Sequence, residues 1–174
     1  MKYIPADIKT VYILVGPKGA GKSYIGSLIE QQYNIPFIRL EDWALRIKNN
    51  RALDNETYLR EASYIVEKGI IQAMKTHNEL IHETTGLSHY YDLLLGRLKT
   101  KYAVTVIGIK AGTEICSRRI LEREFGKPLT FSPGELDRIN VAVAAKDYKV
   151  DFEILNENKN EQQLKEELRE IFEI

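Results

Sequence analysis

Short apolar runs recur along the chain, separated by turn residues and longer polar segments. The clearest run covers residues 102–109, which are nearly all apolar and lie between Lys101 and Lys110. A continuous run of this kind is typical of a strand that is covered on both faces. Shorter runs predict four further strands, over residues 11–15, 35–40, 79–83 and 152–155.

Segments with apolar residues at helical spacing lie between these runs. After residue 22 this spacing continues until Asn34, and Pro36 cannot continue a helix. The same spacing predicts helices over residues 57–75, 88–98, 113–124 and 161–172. Strands that alternate with helices favour a parallel sheet. The pattern therefore predicts a three-layer α/β fold, with about five parallel strands and helices on both faces of the sheet.

Length and composition narrow the class of protein. The 174 residues suit one domain, without an internal repeat or a low-complexity linker. The 25 basic and 25 acidic side chains cancel, so no overall field attracts nucleic acid or an anionic membrane, and a small-molecule partner fits better. The single cysteine, Cys116, excludes an internal disulfide and suits a reducing compartment. No window contains eighteen consecutive apolar residues, so we expect a cytoplasmic protein without a membrane span.

The strongest chemical signal directly follows the first predicted strand. It reads Gly16-Pro17-Lys18-Gly19-Ala20-Gly21-Lys22-Ser23-Tyr24 and leads into the first helix. A strand, a glycine-rich loop and a helix are the context of the phosphate-binding loop of P-loop NTPases. Glycines let backbone N–H groups close around phosphate oxygens, and the helix N-terminus adds partial positive charge. We expect this segment to bind ATP, with Lys22 between the outer phosphates and the Ser23 hydroxyl on Mg²⁺.

Nucleotide binding does not by itself choose a function, because motors, switches, transporters and kinases share it. A GTPase switch requires an Asn-Lys-x-Asp guanine contact, and residues 158–161 come near this pattern but miss its end. A motor or transporter usually carries four apolar residues followed by Asp-Glu, which this chain lacks. The short length, the basic loop region and the acidic pair Glu41-Asp42 after the second predicted strand favour a small kinase.

Five further segments follow the phosphate loop in a defined order. They are Phe37-Ile38-Arg39-Leu40-Glu41, Tyr58-Leu59-Arg60-Glu61, Arg119-x-x-x-Arg123, Gly126-Lys127-Pro128-Leu129 and Phe152-Glu153-Ile154-Leu155-Asn156. Together with the loop they resemble the shikimate kinase-like group of P-loop small-molecule kinases, which is related to the gluconate kinases and the zeta-toxin-like kinases. The resemblance covers nearly the whole chain. It implies one kinase domain over residues 1–174 with a small lid at about 118–138, and residues 126–134, rich in Gly and Pro, are predicted to form a loop.

In that group, one carboxylate after the second strand supports magnesium and another orients or deprotonates the acceptor hydroxyl. Arg39 stands at the first of these positions and Glu41 at the second, so the resemblance implies that Glu41 or its neighbour Asp42 is the base. Strand neighbours point to opposite faces, so only one of the two would face the site. A solvated pair at the start of the next helix is the alternative. Arg60 matches an arginine that grips the acceptor, commonly through a carboxylate; an ion pair on the helix surface is its alternative.

The third predicted strand ends in Glu83-Thr84-Thr85-Gly86, where shikimate kinases have three glycines beside the acceptor. The resemblance implies that Thr85 and Gly86 contact the acceptor, with more participation of side chains than in a run of glycines. Glu83 is expected to hold magnesium through water, or else to stabilise the N-terminus of the next helix. Tyr90-Tyr91 either stack on an aromatic or sugar acceptor or pack between helices.

Basic residues near the predicted lid complete the set. Arg119 and Arg123 match arginines with which the family's lid closes over the phosphates and excludes water, and a solvated basic face is the alternative. Lys127 replaces an arginine of the lid motif and is expected to contact the substrate. A lysine keeps the positive charge at this position but cannot make the two parallel hydrogen bonds of a guanidinium group. Asn156 stands where the family borders the adenine, or is an ordinary turn residue. The histidines have no metal-ligand spacing and are expected to be core or surface residues: His77, His82 and His89.

The sequence thus predicts an ATP- and Mg²⁺-dependent phosphotransferase that moves the γ-phosphoryl group to a hydroxyl of a small-molecule acceptor. A nucleoside, nucleotide or polynucleotide 5′-kinase is one alternative, and its acceptor pocket would hold aromatic stacking surfaces and arginines. The other alternative is an ATP-binding regulatory protein without an acceptor. In that protein Glu41, Asp42, Arg60 and Glu83 would not converge on the γ-phosphate.

Overall fold

A five-stranded parallel sheet forms the centre of the fold. The computed structural model describes residues 8–52, 54–124 and 132–173. Its elements are, in chain order, β1 (Thr10–Val15), α1 (Lys22–Tyr33), β2 (Phe37–Ile38), α2 (Leu40–Arg46), α3 (Glu56–Ala73), β3 (Glu79–Thr84), α4 (His89–Lys99), β4 (Ala103–Lys110), α5 (Thr113–Glu124), α6 (Pro133–Ala145), β5 (Phe152–Leu155) and α7 (Glu161–Phe172). The strand order is β2-β3-β1-β4-β5, and neighbouring strands are parallel.

Each face of the sheet carries its own apolar core. One core contains Leu14 of β1 together with Ile29 of α1 and Leu168 of α7. The other contains Ile13 of β1 together with Ile70 of α3 and residues of α4. Chain neighbours in β1 enter different cores because strand side chains alternate between the two faces. The predicted three-layer α/β fold, with helices on both faces, is confirmed.

The sheet topology places the end of β1 at the centre of the molecule. β1 lies between β3 and β4, and the chain passes from one half of the sheet to the other between these two strands. In open parallel sheets, ligands bind at the carboxyl ends of the strands where the order reverses. The glycine-rich loop follows β1 at this point, so the fold brings the loop and the end of β3 together.

The second strand is shorter than the sequence predicts. The strand predicted over residues 35–40 consists only of Phe37–Ile38, and the helix α2 begins at Leu40. A short apolar run does not distinguish a strand from the start of a helix, and the residues from 40 onward include good helix formers. Glu41 and Asp42 therefore lie in the first turn of a helix. The prediction that they are strand neighbours pointing to opposite faces is wrong, and their position agrees with the alternative of a pair at the start of the next helix.

The helix α6 was not predicted. The Ser132 hydroxyl accepts a hydrogen bond from the Glu135 N–H at 3.2 Å, and Pro133 occupies the first turn. Both residue types favour the start of a helix. The Ser hydroxyl accepts a hydrogen bond from a backbone N–H of the first turn, and Pro has no backbone N–H that would need a partner. Gly134 lies within the helix rather than in the predicted loop, whereas residues 125–131 lie outside the described part of the chain.

The other predicted elements are confirmed with small shifts of their ends. β5, α5 and α7 have the bounds that the pattern predicts, and α3 ends at Ala73, two residues earlier than predicted. Within the described ranges, no helix combines the length and apolar composition that a membrane crossing requires.

Candidate active site

The glycine-rich loop packs closely against its own scaffold. Gly19 has φ 86°, and a Cβ atom there would lie 2.4 Å from the carbonyl oxygen of Cys116. Gly21 has φ 95°, and its Cβ would lie 2.2 Å from Nδ2 of Asn156. Both positions therefore require glycine, since any other side chain would be strained and would displace the loop from α5 or from the end of β5.

Lys22 is held inside the loop by backbone carbonyls. Its Nζ donates to the carbonyl oxygens of Gly16 at 2.8 Å and Pro17 at 2.9 Å. The side chain is only 7% exposed. A buried ammonium requires polar partners, and charged phosphate oxygens are stronger acceptors than carbonyls. Lys22 is thus held at the loop, in a position suited to bind an anion that enters it.

The two residues predicted to hold magnesium are in direct contact. The Ser23 hydroxyl, in the first turn of α1, lies 2.8 Å from each carboxylate oxygen of Glu83 at the end of β3. Glu83 is 9% exposed. Its bond to Ser23 supports the metal-binding interpretation over stabilisation of α4, whose N-cap is Ser88.

The oxygen donors of Ser23 and Glu83 fit a hard cation. The described residues contain no group of three or more His, Cys, Asp or Glu side chains that could hold a metal by themselves. This matches the way Mg²⁺ is usually bound, with one or two protein oxygens and the remaining positions filled by phosphates and water.

Arg119 and Asn156 stabilise the loop through hydrogen bonds to its backbone carbonyl groups. Nη2 of Arg119 donates to the carbonyl oxygen of Asn156 at 3.0 Å, and Nη1 lies 3.4 Å from the carbonyl oxygen of Gly19. The buried Asn156 side chain donates to the carbonyl oxygen of Ala20 at 2.8 Å. Arg119 is therefore placed at the phosphate loop, whereas the Asn156 side chain supports the loop rather than facing solvent as a turn residue.

Two predicted residues, Tyr24 and Arg123, are exposed, and a third is not among the described residues. Tyr24 is exposed, and its hydroxyl donates to Glu161 of α7 at 3.1 Å, so only its backbone is available near the phosphates. Arg123 is exposed in the last turn of α5. Lys127 lies outside the described residues.

Asn140 of α6 holds the tip of the loop and was missed in the sequence. Its Oδ1 accepts from the Lys18 N–H at 2.9 Å, and its Nδ2 donates to the Lys18 carbonyl oxygen at 3.0 Å. The side chain is 2% exposed. Asn140 lies on the helix face that also buries Leu136 and Val143, and a polar residue inside an apolar stripe was the signal that could have identified it.

A cavity of about 260 Å³ lies beside the loop. Lys18 of the loop and the segment Thr84-Thr85-Gly86 form one side of it, so the predicted contacts of Thr85 and Gly86 lie at the cavity wall. Helices contribute three tyrosines, and β3 contributes His82: Tyr58, Tyr90, Tyr91 and His82. The remaining wall is mostly apolar and includes Ala44, Leu45, Leu59, Val66, Leu94 and Ile139.

The segment that follows α6 fixes the β3–α4 connection at the cavity wall. Lys146 Nζ donates to the Gly86 carbonyl oxygen at 2.7 Å, and the Tyr148 hydroxyl donates to the Thr85 carbonyl oxygen at 2.7 Å. The ammonium also lies 5.2 Å from the ring centroid of Tyr91. These contacts hold the cavity side of Thr85-Gly86 in one position.

Successive side chains of β3 contribute to different parts of the site. Glu83 reaches Ser23 on the α1 side, whereas His82 and Thr84 line the cavity on the α3 and α4 side. This division follows from the alternation of side chains along a strand. His82, expected to be an ordinary core or surface residue, is in fact a cavity residue.

Arg60 is not brought into the cavity. The α3 residues that line it are Tyr58, Leu59, Ala62, Ser63 and Val66, and Arg60 lies on another face of the helix, where it is exposed. Asp42 is also exposed and absent from the cavity wall. The side chain of Glu41 lies outside the described part of the structure. Of the four residues expected to converge in a kinase, Glu83 lies at the phosphate loop, whereas Arg60 and Asp42 are exposed and lie outside the cavity wall.

Comparison with solved structures identifies the fold. The chain is similar to shikimate kinase from Aquifex aeolicus, with a TM-score of 0.63 and 22% identity over 92% of this chain and 95% of that chain. It is similar to the APS kinase CysC from Mycobacterium tuberculosis, with a TM-score of 0.65 and 14% identity over 96% of this chain and 99% of that chain. For a gluconokinase from Sinorhizobium meliloti the TM-score is 0.63, with 16% identity over 94% and 89% of the two chains. No protein-family model and no curated protein matches the sequence. The chain has the fold of these P-loop kinases, as the resemblance in its motifs predicts.

Proposed function

We propose that the protein is an ATP- and Mg²⁺-dependent phosphotransferase that moves the γ-phosphoryl group to a hydroxyl of a small molecule. The observation that carries this proposal is the junction between the phosphate loop and the cavity. Lys18 belongs to both, and Glu83 lies next to His82 and Thr84 of the cavity wall. The similar structures with kinase names, for shikimate, gluconate and APS, support the same class of reaction.

The nucleotide would bind with its phosphates at residues 16–23. Backbone N–H groups of the loop and the N-terminus of α1 favour anionic oxygens, and Lys22 adds a full positive charge. Ser23 and Glu83 would hold Mg²⁺, which when bound neutralises charge on the outer phosphates. Arg119 lies close enough to the loop to act on the same phosphates, and Arg123 and Lys127 would join it from the lid.

The transfer step exchanges one bond to phosphorus for another. The acceptor oxygen forms a bond to the γ-phosphorus while the bond from that phosphorus to the β–γ bridging oxygen breaks, and ADP leaves with the electron pair. The acceptor hydroxyl gives its proton to a carboxylate, for which Glu41 and Asp42 at the start of α2 are the candidates. Lys22 would stabilise the negative charge that develops on the leaving oxygen.

The cavity favours an enzyme over a regulatory ATP binder. A regulatory protein needs no second small-molecule site beside the phosphate loop, whereas a kinase must place an acceptor there. The tyrosines of the cavity favour an acceptor that carries a ring.

A screen of ATP consumption tests the proposal. Purified protein is incubated with ATP, Mg²⁺ and a panel of hydroxylated metabolites, and ADP formation is measured. We expect at least one acceptor to stimulate ADP formation, and Lys22→Ala to lower the stimulated rate about 100-fold. Lys99→Ala, at an exposed position of α4, is the matched control and should retain the rate. Stimulated turnover that persists in Lys22→Ala would refute the assigned role of Lys22, and ATP binding without stimulation by any acceptor would favour a regulatory protein.

A further inference from the structure

We infer that the acceptor is an uncharged alcohol that carries a ring, bound between tyrosines of α3 and α4 and oriented by His82. This inference rests on the proposed phosphotransferase function and names the chemical class of its acceptor. Nucleosides and other ring-bearing alcohols share this chemistry.

The charges of the cavity disfavour an anionic acceptor. Lys18 is the one Lys or Arg among the described lining residues, and it belongs to the loop, on the phosphate side. Asp54 is also part of the wall and repels carboxylates and phosphates. Binding of a carboxylate or phosphate group usually relies on the bidentate fork of an arginine, and Arg60 lies outside this wall.

The apolar surfaces of the cavity suit a ring. Tyr58 of α3 and Tyr91 of α4 are both buried, and Tyr90 adds a third, half-buried aromatic side chain. Leu59, Val66 and Leu94 line the cavity with them. Aromatic side chains bind flat ligands by offset or edge-to-face contacts, which a flexible, heavily hydroxylated chain cannot make.

Apart from Lys18 and Asp54, the polar side chains of the wall are hydroxyls and one imidazole, that of His82. His82 is 2% exposed and lies in the middle of β3, paired in register with Ile13 of β1. A neutral imidazole can donate from one nitrogen and accept at the other, so it can orient a hydroxyl or a ring heteroatom. Thr84 and Thr85 provide hydroxyls nearer the phosphate loop. His82 is therefore a specificity residue one position away from Glu83.

The size of the cavity restricts the acceptor to one small molecule. Its volume is about 260 Å³, which is near the lower end of the ~300–1,000 Å³ typical of small-molecule sites. One ring system with its hydroxyl-bearing arm fits this space better than a strand of nucleic acid.

Direct binding measurements test the inference without depending on turnover. Isothermal titration calorimetry is carried out on the protein with ADP and Mg²⁺, using a nucleoside, the matching nucleoside 5′-monophosphate, an aromatic alcohol, the matching carboxylic acid, and gluconate. We expect an uncharged ring-bearing alcohol to bind at least about tenfold more tightly than its anionic counterpart. The nucleoside and aromatic-alcohol arms distinguish the two sources of this chemistry.

Three variants of the wall and one control locate the binding in the cavity. Tyr58→Leu should weaken binding of the ring-bearing alcohol about tenfold, and Tyr64→Leu, on the same helix but 58% exposed, is the matched control and should bind as the unmodified protein does. Asp54→Arg changes an exposed position of the wall, so it should fold normally, and it should shift the preference towards the carboxylated acceptor. His82→Leu should raise the KM for the acceptor more than it lowers kcat.

The possible outcomes separate this inference from the proposed function. Tighter binding of the anionic compounds, or equal effects of Tyr58→Leu and Tyr64→Leu, would overturn the acceptor class while leaving a kinase intact. Cavity-dependent binding of the uncharged alcohol without its phosphorylation would support the class of ligand that the cavity binds, and would overturn both the kinase function and the role of that ligand as acceptor. ATP turnover on gluconate in preference to every ring-bearing alcohol would refute the inference alone.

Discussion

The carboxamide of Asn140 pairs with both backbone polar groups of Lys18, at 2.9 and 3.0 Å. Asn140 lies in α6, whose first half overlaps the predicted lid, and Lys18 is at the tip of the phosphate loop. The two hydrogen bonds therefore fix the loop to an element that the resemblance assigns to the lid region. Both bonds are partly buried and the Asn140 side chain is 2% exposed, so their loss would leave polar groups of the backbone without these partners where access of water is restricted.

We expect Asn140→Leu to weaken nucleotide binding. The substitution keeps the volume of the side chain but removes both hydrogen bonds, which should cost about 1–3 kcal/mol per buried group left unsatisfied. The KM for ATP should rise at least about fivefold with a smaller change in kcat, measured by steady-state kinetics. Val141→Ala, at a neighbouring exposed position, is the control. An unchanged ATP affinity in Asn140→Leu would show that the loop holds its shape without this pair.

Glu83→Gln should separate metal use from nucleotide binding. The amide keeps a hydrogen bond with Ser23 but lacks the negative charge that attracts Mg²⁺. The Mg²⁺ concentration for half-maximal activity should rise about 10–100-fold, since partners of this kind typically contribute that much to metal affinity. Binding of ATP without Mg²⁺, followed by calorimetry, should remain within about twofold. If the affinity for Mg²⁺ and the affinity for ATP without Mg²⁺ fell by the same factor, Glu83 would instead maintain the structure of the phosphate loop.

The two carboxylates at the start of α2 can be distinguished by paired substitutions. Asp42 is exposed and outside the cavity wall, so we expect the proton acceptor to be Glu41. Glu41→Gln should lower kcat about 10²–10⁴-fold, the usual contribution of a general base. The kcat of Asp42→Asn should remain within about threefold of that of the unmodified enzyme. The reverse order of effects would assign the base to Asp42, and small effects of both would exclude this pair.

Tyr91 links the cavity wall to the stability of the fold at alkaline pH. Burial, with smaller effects of Asp92 and Asp151, raises the pKa of Tyr91 to about 12 from its ordinary value of 10.0. The neutral phenol contributes stability that is fully present below pH 10.0, the unfolded value, and is lost as the pH rises towards 12. Tyr91→Phe should therefore reduce the fall of the unfolding free energy between these pH values, measured by denaturant titration. Tyr148→Phe should change the slope in the same direction, because burial raises the pKa of that phenol too. If the unfolding free energy of Tyr91→Phe fell with pH as steeply as that of the unmodified protein, the burial assigned to the Tyr91 phenol would be contradicted.

The strands, most helices and the phosphate loop could be predicted from the sequence because each has a local signal. The buried strand at 102–109 is a continuous apolar run, and the loop has a defined spacing of glycines before Lys22 and Ser23. The boundary between β2 and α2 could not be predicted, because a short segment with only a few apolar residues is compatible with either element.

The residues of the cavity were harder to predict because they meet only through the tertiary fold. No metal-ligand or catalytic spacing in the sequence singles out His82. Its place at the cavity follows from its position next to Glu83 in a strand with alternating side chains. Arg60 was assigned to the acceptor from its motif, but the face of α3 that meets the cavity is set by packing against α4 and the sheet. The sequence motif predicts which helix lies near the acceptor, but tertiary packing determines which of its side chains face the cavity.

If the proposed function is correct, the end of β3 assigns catalysis and selectivity to side chains on opposite faces of one strand. Substitutions at position 82 would then change the accepted alcohol without altering Glu83. Inserting or deleting a single residue ahead of Glu83 would instead invert the strand and send its carboxylate into the tyrosine-lined chamber. Divergence of this scaffold should therefore tolerate new side chains in β3 far more readily than a change in its length.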